Sequence, residues 1–328
     1  MEKLNEKKGL SFSFDLGDPI PILDKSDFLG YFECFQSEKW LEPPVKFTDI
    51  ARLLYASSHH QSALEVKKNV LLSTIKIEKG IISADVLEQF IYDYLVFGNA
   101  YLQFIKNRFK ENLKAVCPLA KFVRTNLNNE YYFIANYTNE VKLKNVFHLK
   151  NIDINQNIYG MPSYLGAIQS LLLNESATLF RRKYYVNGAH AGSIIYLNDS
   201  QSSLEEVKKI KNELMKTKGK GNFKNVFIYT PDGSPDGLKV IPLSDSMGKD
   251  EFLTIKNTSR DDILAAHRVP PQLLSILPNN TGGFGDVSKA AKIFFINEIK
   301  PLQRKLEIIN TWAGDKVISF TDYELLEE

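Results

Sequence analysis

The sequence predicts an α+β protein, and three observations predict it. Apolar residues recur at helical spacing over 84–97, 163–187, 250–267 and 287–312. Between 100 and 149 the pattern changes to short β-rich runs separated by Asn-rich turns. Strand-like runs return at 193–242, between the helices at 163–187 and 250–267. At 328 residues the chain is long enough for two or three compact units. Its 44% hydrophobic and 24% charged content matches a folded protein and neither a disordered nor a fibrous one.

Taken in order, residues 1–45 are polar and punctuated by Gly17, Pro19, Pro21, Pro43 and Pro44, which favours an extended arm. Ile50, Leu53, Leu54, Leu64, Val66, Val70 and Leu71 then recur at helical spacing in two pieces, split by a polar turn at Ser57-Ser58-His59-His60. Val86, Phe90, Ile91, Tyr94 and Leu95 share one face of a helix that starts after Ser83 and stops at Gly98-Asn99. The runs 100–105, 113–123, 131–135 and 146–149 read as one small antiparallel sheet that closes the first unit near residue 150.

Leu165, Ile168, Leu172 and Leu179 mark the stripe of the next helix, with Pro162 and Ser163 at its start and Gly188 beyond its end. Over 163–187 it would span roughly 37 Å. A βαββ-like insert follows: a strand at 193–197, a helix opened by the Ser203/Glu206 capping box, and strands at 226–229 and 238–242. A second long helix covers 250–267 and is ended by Pro270-Pro271. The segment 279–286, with Gly282, Gly283 and Gly285, reads as a mobile loop, either a connector or a gating element. A third long helix at 287–312 should kink at Pro301; a strand at 317–321 and an acidic, fraying tail complete the chain.

The chemistry-bearing patterns are mostly absent. Formal charge is +2, from 41 basic and 39 acidic side chains, so any nucleic-acid contact must be local. Two cysteines, Cys34 and Cys117, make no disulfide framework or zinc spacing, and read as buried hydrophobes in a reducing compartment. The first residues lack a signal peptide's apolar stretch, and no run of about 18 apolar residues predicts a membrane span. The lysine-rich stretch 216–224 follows a helix where a phosphate-cradling loop would precede one. The histidines have no metal-ligand spacing and read as ordinary polar or capping residues. Asp261 and Asp262 point about 100° apart on a helix, which suits surface charges better than a shared acid–base site. Arg181-Arg182-Lys183 before Tyr184-Tyr185 could imitate a nucleic-acid patch, but complementing the helix's negative end is the simpler account. No nucleophile motif is present, so the expectation is a non-enzyme without cofactor or metal.

Several stretches occur together in order: Leu95-Val96-Phe97-Gly98-Asn99-Ala100-Tyr101-Leu102, Val146-Phe147-His148-Leu149, Tyr159-Gly160-Met161-Pro162, 173–185 with Asn174 and Glu175, Asn187-Gly188-Ala189-His190-Ala191-Gly192, Ala266-His267-Arg268-Val269-Pro270-Pro271 and Pro301-Leu302-Gln303. The set resembles the portal proteins of tailed phages and prophages, in the P2-like or PBSX branch, over about residues 15–323. That resemblance implies a ring of about twelve copies at one capsid vertex, through which terminase pumps double-stranded DNA and by which the DNA later leaves. It implies an N-terminal arm (1–45), a wing (46–161), two stem helices (162–189 and 246–271), a clip (190–245), a tunnel-loop region (272–288), and a kinked helix and terminal strand (289–328). The implied partners are other copies of the chain, DNA, the terminase large subunit, capsid or scaffold protein, and head-completion or tail adaptor proteins. The implied location is the virion, after assembly in the bacterial cytoplasm.

On this resemblance Asn279, Asn280, Thr281, Gly282, Gly283 and Phe284 are expected to face DNA, and Lys216, Lys218, Lys220 and Lys224 to lie at the clip rim. One departure is that the chain ends 16 residues past Trp312, where many portals continue into a helical crown, so the crown is expected to be minimal or absent. A ring closed by a heterologous interface needs apolar residues on two faces of its helices, which the broad coverage of 164–186 fits. A sliding channel should not grip phosphates, and a near-neutral chain fits that too. The competing class is a cytosolic DNA-processing or phosphate-handling enzyme using 216–224.

Overall fold

The computed structural model describes residues 35–36, 39–109, 111–136, 139–186, 193–198, 226–230, 238–242, 249–276 and 286–323. The chain enters through a two-residue hairpin, β1 (Phe35–Gln36) and β2 (Leu41–Glu42), and then forms helices α1 (Phe47–Leu53) and α2 (Ser58–Thr74). The expected polar turn at 57–60 sits earlier. Tyr55 and Ala56 donate back to Arg52 and Leu53, so the turn is 54–57. His59 and His60 instead fall in the first turn of α2, where Ser57 holds the extended N-cap conformation.

Helix α3 (Ala84–Phe97) is the centre of the first unit. Ser83 Oγ caps the Val86 amide at 3.4 Å, and Gly98 closes the helix at φ +67°, a conformation glycine takes without steric cost. Leu87, Phe90, Ile91, Tyr94, Leu95, Val96 and Phe97 are all buried, so this helix is covered on more than one face.

The expected single sheet is two antiparallel sheets. One is the triplet β5 (Asn112–Val116), β4 (Asn99–Lys106) and β9 (Val146–Lys150). The other has the order β1-β2-β6-β7-β8, with β6 at Val123–Thr125, β7 at Tyr131–Asn136 and β8 at Asn139–Leu143. The run 113–123 divides because Pro118 cannot donate to a ladder, and a tight turn at Ala120–Phe122 redirects the chain. Strand β8 went unread because Asn139-Glu140-Val141-Lys142-Leu143 is largely exposed and lacks a β-rich signature.

Helix α4 (Ile168–Val186) starts later than its apolar stripe suggests. Tyr164 is buried with its hydroxyl donating to the Val96 carbonyl at 2.6 Å, and a tight turn at Leu165–Ala167 intervenes. Strand β10 (Ser193–Asn198) lies between β11 (Val226–Thr230), parallel to it, and β12 (Leu238–Pro242), antiparallel to it. Parallel neighbours need a crossover connection, as a βαββ order provides; the expected crossover helix lies outside the described residues.

Helix α5 (Lys249–His267) ends with Arg268 at φ +54°. Arg268 and Val269 donate to Ala265 and Leu264, a left-handed cap normally built on glycine. Helices α6 (Val287–Phe294), α7 (Lys300–Leu306) and α8 (Ile308–Ala313) replace one long helix. The kink is a wide π turn, Phe295–Ile299, placed just before Pro301, whose ring cannot continue α-type bonding. Strand β13 (Ile318–Phe320) returns to pair with β3 (Ile75–Ile77), tying the end of the chain to the first unit.

Candidate functional site

A clasp closes the first unit just before the chain turns into α4. A Cβ on Gly160 would lie 2.0 Å from the Gly98 carbonyl oxygen, and one on Gly98 would lie 2.5 Å from the Met161 backbone, so both residues must lack side chains. Asn99 uses its whole amide here. Its Nδ2 donates to the carbonyls of Phe97 (2.9 Å) and Gly160 (2.7 Å), while its Oδ1 accepts from the Gly160 amide (2.7 Å) and His148 Nε2 (2.9 Å). Asn151 completes the clasp, donating from its backbone to Gly98 and from its side chain to Met161. His148 stacks on Tyr101 with 4.3 Å between ring centroids, and desolvation holds its pKa down at about 3, so it is a neutral donor.

Beyond the clasp, α4 and α5 run antiparallel and are laced by polar rungs. Ser170 Oγ donates to Asp262 Oδ2 (3.0 Å), Asn174 Nδ2 to Ser259 Oγ (2.8 Å), and Lys256 Nζ to Thr178 Oγ1 (2.6 Å). Asn174 is buried and also accepts from Ser57 Oγ at 3.0 Å, which ties the pair to the start of α2. Leu171, Ala177, Ile263 and Leu264 pack inward. Leu173 (50% exposed), Leu179 (47%) and Leu253 (59%) do not. The pair is therefore a rod cross-linked by polar rungs with apolar groups left on its outside.

At the root of the rod His60 Nδ1 lies 2.8 Å from His267 Nε2, with the Tyr164 ring against both. Burial lowers the pKa of His60 to about 4. It lowers that of His267 to about 2, helped by the charges of His60, Lys67 and Arg268. Two neutral imidazoles can share a proton in a hydrogen bond, whereas two imidazolium ions would repel. Alongside, Lys67 Nζ pairs with Glu298 Oε2 at 3.0 Å, and Arg268 Nε binds the other oxygen of the same carboxylate.

Asn279, Asn280, Thr281, Gly282, Gly283 and Phe284, expected at the channel, and Lys216, Lys218, Lys220 and Lys224, expected at the clip rim, lie outside the described residues. What can be placed are the loop's anchors. Upstream is the tight turn Pro271–Leu274 with Ser275 at φ +56°, and downstream is Asp286, whose carboxylate caps Lys289 N at 2.9 Å. Helix α6 packs on that turn. Asp262 serves the rung to Ser170, and Asp261 pairs with Arg260 at 2.8 Å. Cys117 is partly buried, and burial raises its thiol pKa. Among the described residues no group of three potential metal ligands converges, and no helix is long and apolar enough to cross a membrane.

Sequence reasoning missed the seam of Ser57, Asn174 and Ser259, and the roles of His60, Lys67, Glu298 and Lys305. Asn174 and His267-Arg268 belong to the motif stretches quoted above, but single polar residues within apolar stripes do not announce their partners.

The phage portal protein family model matches residues 52–312. A probable portal protein of Escherichia phage P2 is 44% identical over 316 residues, covering 95% of this chain and 92% of that protein. A probable portal protein of Haemophilus phage HP1 is 35% identical over 277 residues, covering 82% and 80%. A chain in the neck of a native gene transfer agent particle, computed with C12 symmetry, superposes with a TM-score of 0.62 at 16% identity, covering 85% of this chain and 84% of its own.

Proposed function

Because the chain belongs to the phage portal protein family, a structural family and not an enzymatic one, we propose that its copies close into a ring of about twelve at one capsid vertex. Double-stranded DNA enters through the axis, driven by the terminase large subunit, and leaves by the same route. Head-completion or tail adaptor proteins then attach to the ring, which the capsid or scaffold protein holds, in particles assembled in the bacterial cytoplasm. In this reading the first unit (46–161) is the wing, and the arm (1–45) ends in the β1–β2 hairpin that adds to the wing's own sheet. Helices α4 and α5 are the stem (162–189 and 246–271), and the β10–β12 unit is the clip (190–245) that meets terminase and adaptors, with Lys216, Lys218, Lys220 and Lys224 at its rim. The region 272–288 is the tunnel loop, Asn279 to Phe284 facing DNA, and 289–328 continues on the capsid side.

One observation carries this reading: the α4–α5 rod is cross-linked by its own polar rungs and still exposes Leu173, Leu179 and Leu253. Exposed apolar side chains along a rigid pair suit a neighbour that repeats around an axis. Particle images and native mass spectrometry of the purified chain test it. Closed rings of about a dozen subunits with an axial hole are expected. A persistent monomer at high concentration overturns it.

A further inference from the structure

The kinked segment 295–305 closes over the root of the rod and leaves a cleft of about 180 Å³, lined by Lys67, Gly98, Asn151, Arg268, Glu298 and Lys305 among others. Its charged lining is three cations and one carboxylate. Glu298 is largely buried and accepts from both Lys67 and Arg268, so it is fully used. The Lys305 ammonium donates only to neutral oxygens, Tyr94 Oη at 3.1 Å and Asn151 Oδ1 at 3.2 Å, and lies 5.8 Å from the centre of the Tyr94 ring. Among the described residues, then, one of three positive charges is compensated and two are not. Packing uncompensated like charges into a part-buried cleft is unfavourable unless an anion joins them.

A second observation points to the same place. Arg268 holds a left-handed backbone conformation at a helix end where glycine would be unstrained. Strain of this kind persists where the surrounding structure over-determines it, and it clusters at ligand sites. Here it sets the guanidinium at the cleft mouth, 57% exposed, with the Glu298 carboxylate on Nε and no further partner among the described residues for the terminal nitrogens.

We infer that this cleft binds one phosphate group, with the Arg268 guanidinium and the Lys305 ammonium as its direct ligands. Lys67 and Glu298 are positioning residues that hold Arg268 in place. A guanidinium edge and an ammonium lining one cleft suit tetrahedral oxygens, and two surplus charges suit a phosphate better than a single carboxylate. The phosphate can be free or part of a nucleic-acid backbone. The inference does not depend on ring formation, which the same samples score separately.

The test uses the purified full-length chain at low salt, titrated with inorganic phosphate and read by calorimetry and phosphorus line broadening. Saturable binding is expected, weakened about tenfold or more in Arg268→Gly and Lys305→Met, since each removes a charged hydrogen bond. Arg268→Gly suits the left-handed backbone and should fold as well as the parent, while Arg268→Lys should recover part of the loss. Lys76→Gln, on β3 away from the cleft, should bind as the parent does. A labelled short duplex forms the second arm. If phosphate displaces it and both cleft variants weaken it, the phosphate comes from nucleic acid; if the variants leave duplex binding unchanged, the site takes free phosphate. No phosphate binding, equal binding by the variants, or acetate competing as well as phosphate overturns the inference. Rings that form without any phosphate binding would overturn the cleft and leave the portal reading standing.

Discussion

Helices α3 and α4 both carry broad apolar stripes, yet the fold treats them in opposite ways. Helix α3 buries Leu87, Phe90, Ile91, Tyr94, Leu95, Val96 and Phe97 under α1, α2 and the strands around it. Helix α4 buries Leu171, Asn174 and Ala177 against α5, while Leu173 and Leu179 stay in solvent. Both are held by buried apolar groups, but the rod adds polar rungs between its helices and leaves apolar surface in reserve. The difference separates residues that make the chain fold from residues left to meet another molecule.

The strongest test of the first half is Phe90→Ala. Phe90 is fully buried and stacks on Phe147 at 6.1 Å. Its truncation should cost about 3–5 kcal/mol of unfolding free energy, read from urea midpoints. An equal loss on truncating Leu173 would erase the distinction between the two helices.

Acid should act on both regions through their histidines. His60, His148 and His267 have folded pKa values of about 4, 3 and 2, below the ordinary 6.5. Below pH 6.5 the unfolded chain therefore binds protons that the fold refuses, and stability falls as pH drops towards 4. Asp93, buried and raised to about 7, opposes this, because between its ordinary 3.8 and 7 only the folded form keeps its proton. His59, also lowered by burial, adds to the loss and Glu175, raised by burial, to the opposition, so the histidines outnumber the carboxyl groups and a net loss of stability is expected from pH 7 to pH 5. Denaturation curves at the two pH values check this. A chain more stable at pH 5 would contradict the neutral His60–His267 pair.

A smaller effect is expected from Asn174→Ala, which strands Ser57 and Ser259 at the joint between rod and body. About 1–3 kcal/mol should be lost, with hydrogen exchange rising first along α4. If exchange rises equally in α3, the rod and the first unit are not separable in stability.

How much of this was legible beforehand follows from what each signal encodes. Helices α3, α4 and α5, the insert's strands and the kink near Pro301 were readable because periodicity and proline report local geometry. The split into two sheets was not, because one proline, Pro118, and an exposed strand at 139–143 decided it. The pairing of β3 with β13 joins residues some 240 positions apart, and nothing local records that. Likewise Gly98, Asn99 and Gly160 were quoted as motif residues, but that they clasp one another depends on how the chain returns. The loop and clip residues singled out from the resemblance, Asn279 to Phe284 and Lys216 to Lys224, lie outside the described residues and stay proposals.

The last test has the smallest expected effect on the chain itself and the most to say about the rod. Leu253 is 59% exposed on α5, so Leu253→Ser removes little buried area, and unfolding free energy should move by less than about 0.5 kcal/mol. Assembly should respond differently, because a side chain idle in one copy is repeated at every interface of a closed ring, and closure needs all of them at once. Sedimentation should therefore show rings giving way to smaller species while the urea midpoint stays in place. If instead stability falls and assembly persists, Leu253 belongs to the chain's own core in solution, and the rod is not the surface where copies meet.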